Sequence, residues 1–411
     1  MDQPTIDIEQ SNLDQTSRPA PAPLEPEVTQ KLRQALAGLM VVEDITVLSN
    51  IPEPPVQFRG HLEADDANQE EVFEQIVQRF EALGYTPILS AHEGRHIIHA
   101  IPHVFNQKPK RPWINVVLFV ATLASAFFIG ATREADGLLP GTLQEWLRGV
   151  PFMLAMMGIL TAHELSHYFV GRRYGSPLSL PYFIPMPIGP LGTMGAVIVQ
   201  QGPMRSRKAL FDIGAAGPIG GLLVAIPLLF IGLIFTRVGH PSEFIDIAGG
   251  EVFSQEGNSV LYLAAKYIIH GKILPDQATG EDVWLSPPSA GGAIVFAAWA
   301  GLLVTGLNLM PIGQLDGGHI TYALWGRNAW KVARAFVVLC FAWGGGLLAW
   351  GNYAGVTWLI WGALASLMGP RHPPPLNDLT PLDPRRKLLA WLMILIFFLI
   401  IIPIPFSEVT F

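Results

Sequence analysis

Residues 163–167 read His-Glu-Leu-Ser-His, an H-E-x-x-H pattern. Side chains four residues apart share one face of a helix, so His163 and His167 can aim two imidazoles at one metal ion. Glu164 is the adjacent carboxylate, placed to take a proton from an attacking water. The setting sharpens this reading. Apart from the motif, residues 150–170 are uncharged and almost wholly apolar, and the run is about long enough to cross a bilayer. Ionisable side chains inside a spanning helix are costly, so they mark a functional site by default. A metal site is therefore expected here rather than a chance match.

A catalytic zinc ion usually takes three protein ligands and keeps one position for water. The single cysteine, Cys340, lies in an apolar run, which leaves neither a disulfide framework nor a cysteine-based zinc site. The third ligand should then be a His, Asp or Glu at membrane depth. Asp212 opens an apolar helix among residues suited to packing. Asp316 follows another apolar helix, inside Asn308-Leu-Met-Pro-Ile-Gly-Gln-Leu-Asp316-Gly-Gly-His319. Prolines and glycines there let the chain unwind and place a side chain. Asp316 is the preferred ligand, with the N-cap of a helix starting near Gly318 as its competing role. His319 stands as a further candidate.

The elements that must carry these residues follow from composition. Of 411 residues, 50 % are hydrophobic and only 14 % charged, against about 25 % charged in soluble domains. The expected fold class is mainly α: a polytopic membrane protein with about seven transmembrane helices. The spans fall at 113–131, 150–170, 209–236, 291–310, 335–350, 356–368 and 388–405. The net charge of −7 argues against nucleic acid as a partner. Basic clusters at 108–111, 172–173, 205–208, 327–334, 371 and 385–387 all fall on one side of seven spans, the inside. Residues 239–288, rich in acids such as Glu243, Asp246, Glu251 and Asp282, fall outside.

Residues 1–26 are acidic and Pro-rich and read as a disordered tail, neither a secretory signal nor a transit peptide. A leader removed upstream stays open. Residues 28–106 read as a small soluble α/β domain: a helix and strand at 28–48, a strand at 56–62, a helix at 68–83, and strands at 85–89 and 96–101 about Glu93-Gly94. Its His92, His96, His99 and His103 read as scattered hairpin residues, since no carboxylate or cysteine joins them at ligand spacing. Residues 113–405 form the membrane domain, with its core at 150–318. Within it, residues 179–201 carry four prolines after Leu180 and cannot be helical. Their second half, 193–200, reads as a strand. A broken apolar segment at membrane depth must be buried in protein or line a cavity, which suggests a membrane-embedded β-hairpin beside the site. The small residues at 214–221 read as helix packing.

The motif pair, H-E-x-x-H at 163–167 and N-x-x-P-x-x-x-x-D-G at 308–317, resembles that of the site-2 proteases, the intramembrane zinc metalloproteases. The stretch Gly192-Thr-Met-Gly-Ala-Val-Ile198 is similar to that family's membrane-embedded β-segment. The resemblance implies one zinc ion per chain on His163, His167 and Asp316, with Glu164 activating water and Asn308 orienting or stabilising substrate. It also implies transmembrane protein substrates, membrane-tethered regulators among them, met within the lipid bilayer. The small N-terminal domain and extra C-terminal spans are most similar to the cyanobacterial and plant-chloroplast branch. That implies a plasma or thylakoid membrane, with the N-terminus on the cytoplasmic or stromal side. Two other readings compete. A CAAX-type membrane zinc protease would need a later glutamate ligand, which spans three to seven do not offer. A silent scaffold or transporter would explain the spans but not the ligand set.

Overall fold

The computed structural model describes residues 26–47, 56–65, 68–105, 111–135, 138–176, 178–240, 252–285, 290–369 and 371–410. Residues 1–25 of the tail expected at 1–26, and the acids Glu243, Asp246 and Glu251, lie outside the described residues, while Pro26 opens a helix. Contacts divide the chain into two units, Met1–Val104 and Phe105–Phe411.

The first unit runs α1 (Pro26–Ala35), β1 (Met40–Val47), β2 (Val56–Leu62), α2 (Gln69–Glu81), β3 (Thr86–His92) and β4 (Arg95–Ile101). The strands form one antiparallel sheet in the order β1-β2-β4-β3. Val72, Phe73, Ile76, Val77 and Phe80 recur at helical spacing and are the buried face of α2. Alternate strand residues Phe58, Leu89 and Ile98 are buried too, as a half-covered sheet requires. Glu93 and Gly94 both have positive φ, 52° and 77°, the conformation a two-residue hairpin turn needs.

The second unit contains α3 (Pro112–Arg133), α4 (Leu143–Leu147), α5 (Val150–Arg173), β5 (Tyr182–Pro185), β6 (Thr193–Val197) and α6 (Arg207–Ile234). It continues with β7 (Val238–Gly239), β8 (Val252–Glu256), α7 (Val260–His270), β9 (Asp282–Val283) and α8 (Ala290–Asn308). Then come α9 (Asp316–Trp325), α10 (Ala329–Ala349), α11 (Gly355–Met368), α12 (Pro384–Ile400) and β10 (Phe406–Thr410). Among the described residues, 5 helical stretches are long and apolar enough to cross a membrane: Pro112–Arg133, Leu143–Arg173, Arg207–Ile234, Gly291–Asn308 and Asp316–Ala349. This makes the chain a polytopic membrane protein of mostly helical fold.

The remaining two expected spans correspond to shorter helices, α11 with 14 residues and α12 with 17. Three boundaries need correcting, the first being the start of the last span, which lies at Pro384 rather than 388. The last helix ends at Ile400 rather than 405, because Pro403 and Pro405 follow. The fifth apolar helix starts at Ala329 rather than 335, following α9 through one 3-10 turn at Gly326–Asn328.

The core lies where α5, α6 and α8 meet. Phe152, Met156 and Leu160 of α5 pack with Phe211, Ala225 and Leu229 of α6 and Trp299 and Leu302 of α8. Residues 179–201 are non-helical and contain an antiparallel pair, Tyr182 opposite Val197 and Phe183 opposite Ala196. A proline-rich strand has few N–H donors, and its carbonyls need partners. Asn115 of α3 supplies them, its amide donating to Leu180 and Pro181 carbonyls at 3.0 and 2.9 Å.

The segment read as an acidic loop holds more order than its composition suggests. Lys266 of α7 is 0 % exposed, with Nζ 2.9 Å from Asp282 and 3.5 Å from Glu256. The Tyr262 hydroxyl donates to Glu256 at 3.0 Å. Burial beside Asp282 raises the Glu256 carboxyl above its ordinary range, although Lys266 works against this.

Candidate metal centre

Helix α5 presents His163, Glu164 and His167 on its buried side. Two features of the chain make room for them. The small residues of α6 lie against the motif, so they do more than let two helices approach. A Cβ at Gly217 would fall inside the van der Waals surface of the His167 ring, and one at Gly221 would lie 3.2 Å from His163 Nδ1. The second feature is the break between α8 and α9. Asp316 is the first residue of α9, and the N-cap position before it, Leu315, makes no side-chain cap. The Asp316 carboxylate is therefore not spent on capping. A Cβ at Gly317 would overlap the carbonyls of Leu309 and Met310, so glycine is what lets the start of α9 fold back on the end of α8.

These elements bring three donors together. His163 Nε2 and His167 Nε2 are 3.2 Å apart. Asp316 Oδ2 is 3.3 Å from the first and Oδ1 is 3.3 Å from the second. Ligands held tetrahedrally at zinc distances stand about 3.3 Å from one another. With one ligand atom from each residue, the three donors lie within 4.8 Å of one another, close enough to hold one metal ion, and among the described residues this is the one His/Cys/Asp/Glu group so arranged. Two further observations agree. Asp316 Oδ2 is buried and accepts no hydrogen bond. The Ile213 carbonyl lies 2.7 Å from His167 Nδ1 and can only accept, so Nδ1 carries the proton and the Nε2 lone pair is free.

The other candidates fall as follows. The Asn308 amide lies 3.4 Å from His163 Nε2, at the edge of the donor group. Asp212 is engaged elsewhere: Arg386 donates to it at 2.8 and 2.7 Å, and the Tyr174 hydroxyl donates to it as well. His319 is not among the three donors. Its Nδ1 lies 2.6 Å from Nε2 of His372, a residue that the sequence offered no reason to single out. In the N-terminal unit, His96 accepts the Leu62 N–H at 3.2 Å, and no metal group forms there among the described residues.

A helix bundle fit to span a membrane, with two histidines and an aspartate converging inside it, defines the class. Residues 151–343 match peptidase family M50. It is similar to "Probable zinc metalloprotease EGY2, chloroplastic" of Arabidopsis thaliana, at 29 % identity over 63 % of this chain and 42 % of that protein. It is also similar to the EGY2 protein of Oryza sativa subsp. indica, at 33 % identity over 44 % of this chain and 30 % of the relative. "Probable zinc metalloprotease EGY1, chloroplastic" of Arabidopsis thaliana aligns at 27 % identity over 71 % of the chain and 53 % of its own length. The chain thus spans about half or less of each of these relatives. No solved structure gives a significant match.

Proposed function

We propose that this chain is an intramembrane zinc metalloprotease that hydrolyses peptide bonds of transmembrane proteins. The observation that carries the reading is the convergence of His163, His167 and Asp316, with the two Nε2 atoms 3.2 Å apart and each 3.3 Å from one Asp316 carboxylate oxygen, on helices apolar enough to span a bilayer. His163, His167 and Asp316 would hold a zinc ion, which would supply a Lewis acid for the scissile carbonyl. Glu164 takes the proton of the attacking water and passes it to the leaving amine. Asn308, beside His163, orients the substrate. A helical substrate hides its scissile carbonyl in a backbone hydrogen bond, so it must be unwound first. The β5–β6 hairpin, lying within the membrane, pairs with the extended segment.

The domain division supports this assignment of work. Residues 113–405 form the catalytic membrane domain with seven spans, and residues 28–106 form a soluble domain outside the bilayer. The basic clusters favour an N-terminus on the cytoplasmic or stromal side, in a plasma or thylakoid membrane. Membrane-tethered regulators are fitting substrates. The test uses purified full-length chain, a transmembrane peptide and Glu164→Gln. The variant should keep its zinc and lose cleavage by at least roughly 10²-fold. Equal cleavage by both proteins would sink the mechanism, and no zinc in the wild type would sink the whole reading.

A further inference from the structure

The segment joining α11 to α12, residues 371–383, is proline-rich and largely tucked in. Leu376 and Asn377 donate their backbone N–H groups to Met204 and Arg205 carbonyls at 2.8 and 2.9 Å. Asn377 is 0 % exposed, and His372 and Leu382 are buried. The segment is therefore a strap across one end of the bundle, tied to the chain just before α6. Trp330 of α10 donates its indole N–H to the His372 carbonyl at 3.1 Å. The His372 ring also lies 4.9 Å from that of Tyr322 on α9.

The hydrogen-bond roles along this strap are fixed by what each partner can do. The Pro373 carbonyl, 2.5 Å from His372 Nδ1, can only accept, so His372 Nδ1 carries a proton. Burial, with His319 beside it, pushes the His372 ring pKa down to about 3, so the ring is neutral. Its Nε2 is then an acceptor, and the proton in the 2.6 Å contact belongs to His319 Nδ1. His319 stands one turn after Asp316 on α9, and a Cβ at Gly214 would press on its Cβ. Gly214 follows Ile213, whose carbonyl orients His167.

We propose that His372 is a positioning residue for the metal centre: through His319 it clamps the first turn of α9, and so holds Asp316 against His163 and His167. The proposal rests on the metalloprotease reading above and adds to it a residue 56 positions beyond the third ligand. A helix that begins in a glycine-rich break has few restraints of its own on rotation. Apolar contacts in lipid add little direction. The Tyr322 hydroxyl ties the far part of α9 to Asp378 of the strap at 3.1 Å, and a directed hydrogen bond from His372, on a strap anchored at Met204 and Arg205, adds a restraint on its first turn.

The test compares His372→Phe, His372→Gln and His319→Phe with the double Phe variant, as full-length protein in detergent. Each is titrated with a chromophoric chelator competing for zinc, and melting is followed on the same preparation. Phe keeps the ring's bulk without its hydrogen bonds. Gln keeps one donor and one acceptor. His372→Phe should weaken zinc retention by roughly 10-fold or more, the scale of losing an outer-shell partner. Gln should restore most of it, and the double variant should lose no more than the worse single one. Three outcomes would overturn the proposal. One is unchanged zinc retention in His372→Phe. Another is equal loss in Phe and Gln together with lowered melting, which makes the strap merely structural. The third is additive loss in the double variant. Failure of the wild type to hold zinc would overturn the metalloprotease reading itself, and this clamp with it.

Discussion

Gly217→Ala sets two physical effects against each other. Alanine is the better helix former by about 1 kcal/mol, so propensity alone says the variant gains stability. The structure says otherwise. A Cβ on Gly217 overlaps Nε2, Cδ2 and Cε1 of His167. The ring cannot simply turn aside, because Nδ1–H is held by the Ile213 carbonyl at 2.7 Å. Swinging it out loses that bond, worth about 1 kcal/mol, and forcing it to stay overpacks the α5–α6 contact at about 1–3 kcal/mol. The expected net result is a loss of roughly 0–2 kcal/mol, once the propensity gain is set against these alternative costs. Zinc retention should fall by at least roughly 10-fold, because the displaced atom is the nitrogen proposed to hold the ion. Gly345→Ala is the matched control: it also lies inside an apolar helix, but nothing is within 4 Å of its Cβ position. It should melt at or above the wild type with full zinc. Metal content and thermal melting in detergent are the assay. If Gly217→Ala behaves like Gly345→Ala, His167 is not where the ligand argument needs it.

The other expectations are simpler. Asp316→Asn keeps the shape of the side chain but removes an anionic donor, so zinc content and cleavage should fall together; full retention of both would move the third ligand elsewhere. Lys266→Met leaves Glu256 and Asp282 buried without the cation between them. Amide protection of α7 should drop by roughly 3–5 kcal/mol, as when one partner of a buried ion pair is removed. Unchanged exchange would show that the triad does not hold α7. In the N-terminal domain, burial depresses the pKa of His96 and His99 below the ordinary 6.5. The unfolded chain then binds more protons than the folded one, so stability is full above about 6.5 and is lost as pH falls below it. Hydrogen exchange of the sheet amides, corrected for intrinsic rate, should show weaker protection at pH about 5.5 than at about 7.5. Equal protection at both would refute the sign.

The legible and illegible parts of this site differ in one physical respect. His163 and His167 could be paired from sequence because helical periodicity alone puts them on one face. Asp316 could be preferred because glycines and a proline around it announce a break where a carboxylate is free to point inward. Both signals are local. The role of Gly217 and Gly221 is not: their spacing announces close packing, but only the register of α6 against α5 decides that histidine rings fill the space. His372 was out of reach for the same reason, lying 53 positions from the histidine it bonds. Lys266 meets Asp282 and Glu256 across 16 and 10 positions with no periodic pattern to link them. Composition read the segment as acidic and outward-facing but could not supply α7. The span boundaries at 335 and 405 missed because hydropathy weighs apolarity, whereas the helix ends where its backbone hydrogen bonds do.

The polar anchors explain how the donor triangle keeps its geometry in lipid. Apolar side chains gain little from meeting one another when lipid tails are an equal alternative, so they leave neighbouring helices weakly specified along their axes. A three-donor site tolerates displacement of only about half an ångström. Register must therefore come from directed contacts, and they lie along the site's helices. At one end, Asp212 of α6 receives Arg386 of α12 and Tyr174 from the end of α5, while Asp378 of the strap receives Arg207 of α6 and Tyr322 of α9. These contacts tie together α5, α6 and α9, the helices that carry or orient the donors. Away from that end, the Trp299 indole of α8 donates to the Gly257 carbonyl at 2.7 Å, beside the buried Lys266 triad. Helix α8 is thus fixed at its middle, while the chain beyond Asn308 turns into Asp316 at the start of α9. Each donor-bearing helix is pinned near a terminus by a hydrogen bond or ion pair, and the glycines of α6 then set how closely α5 can approach.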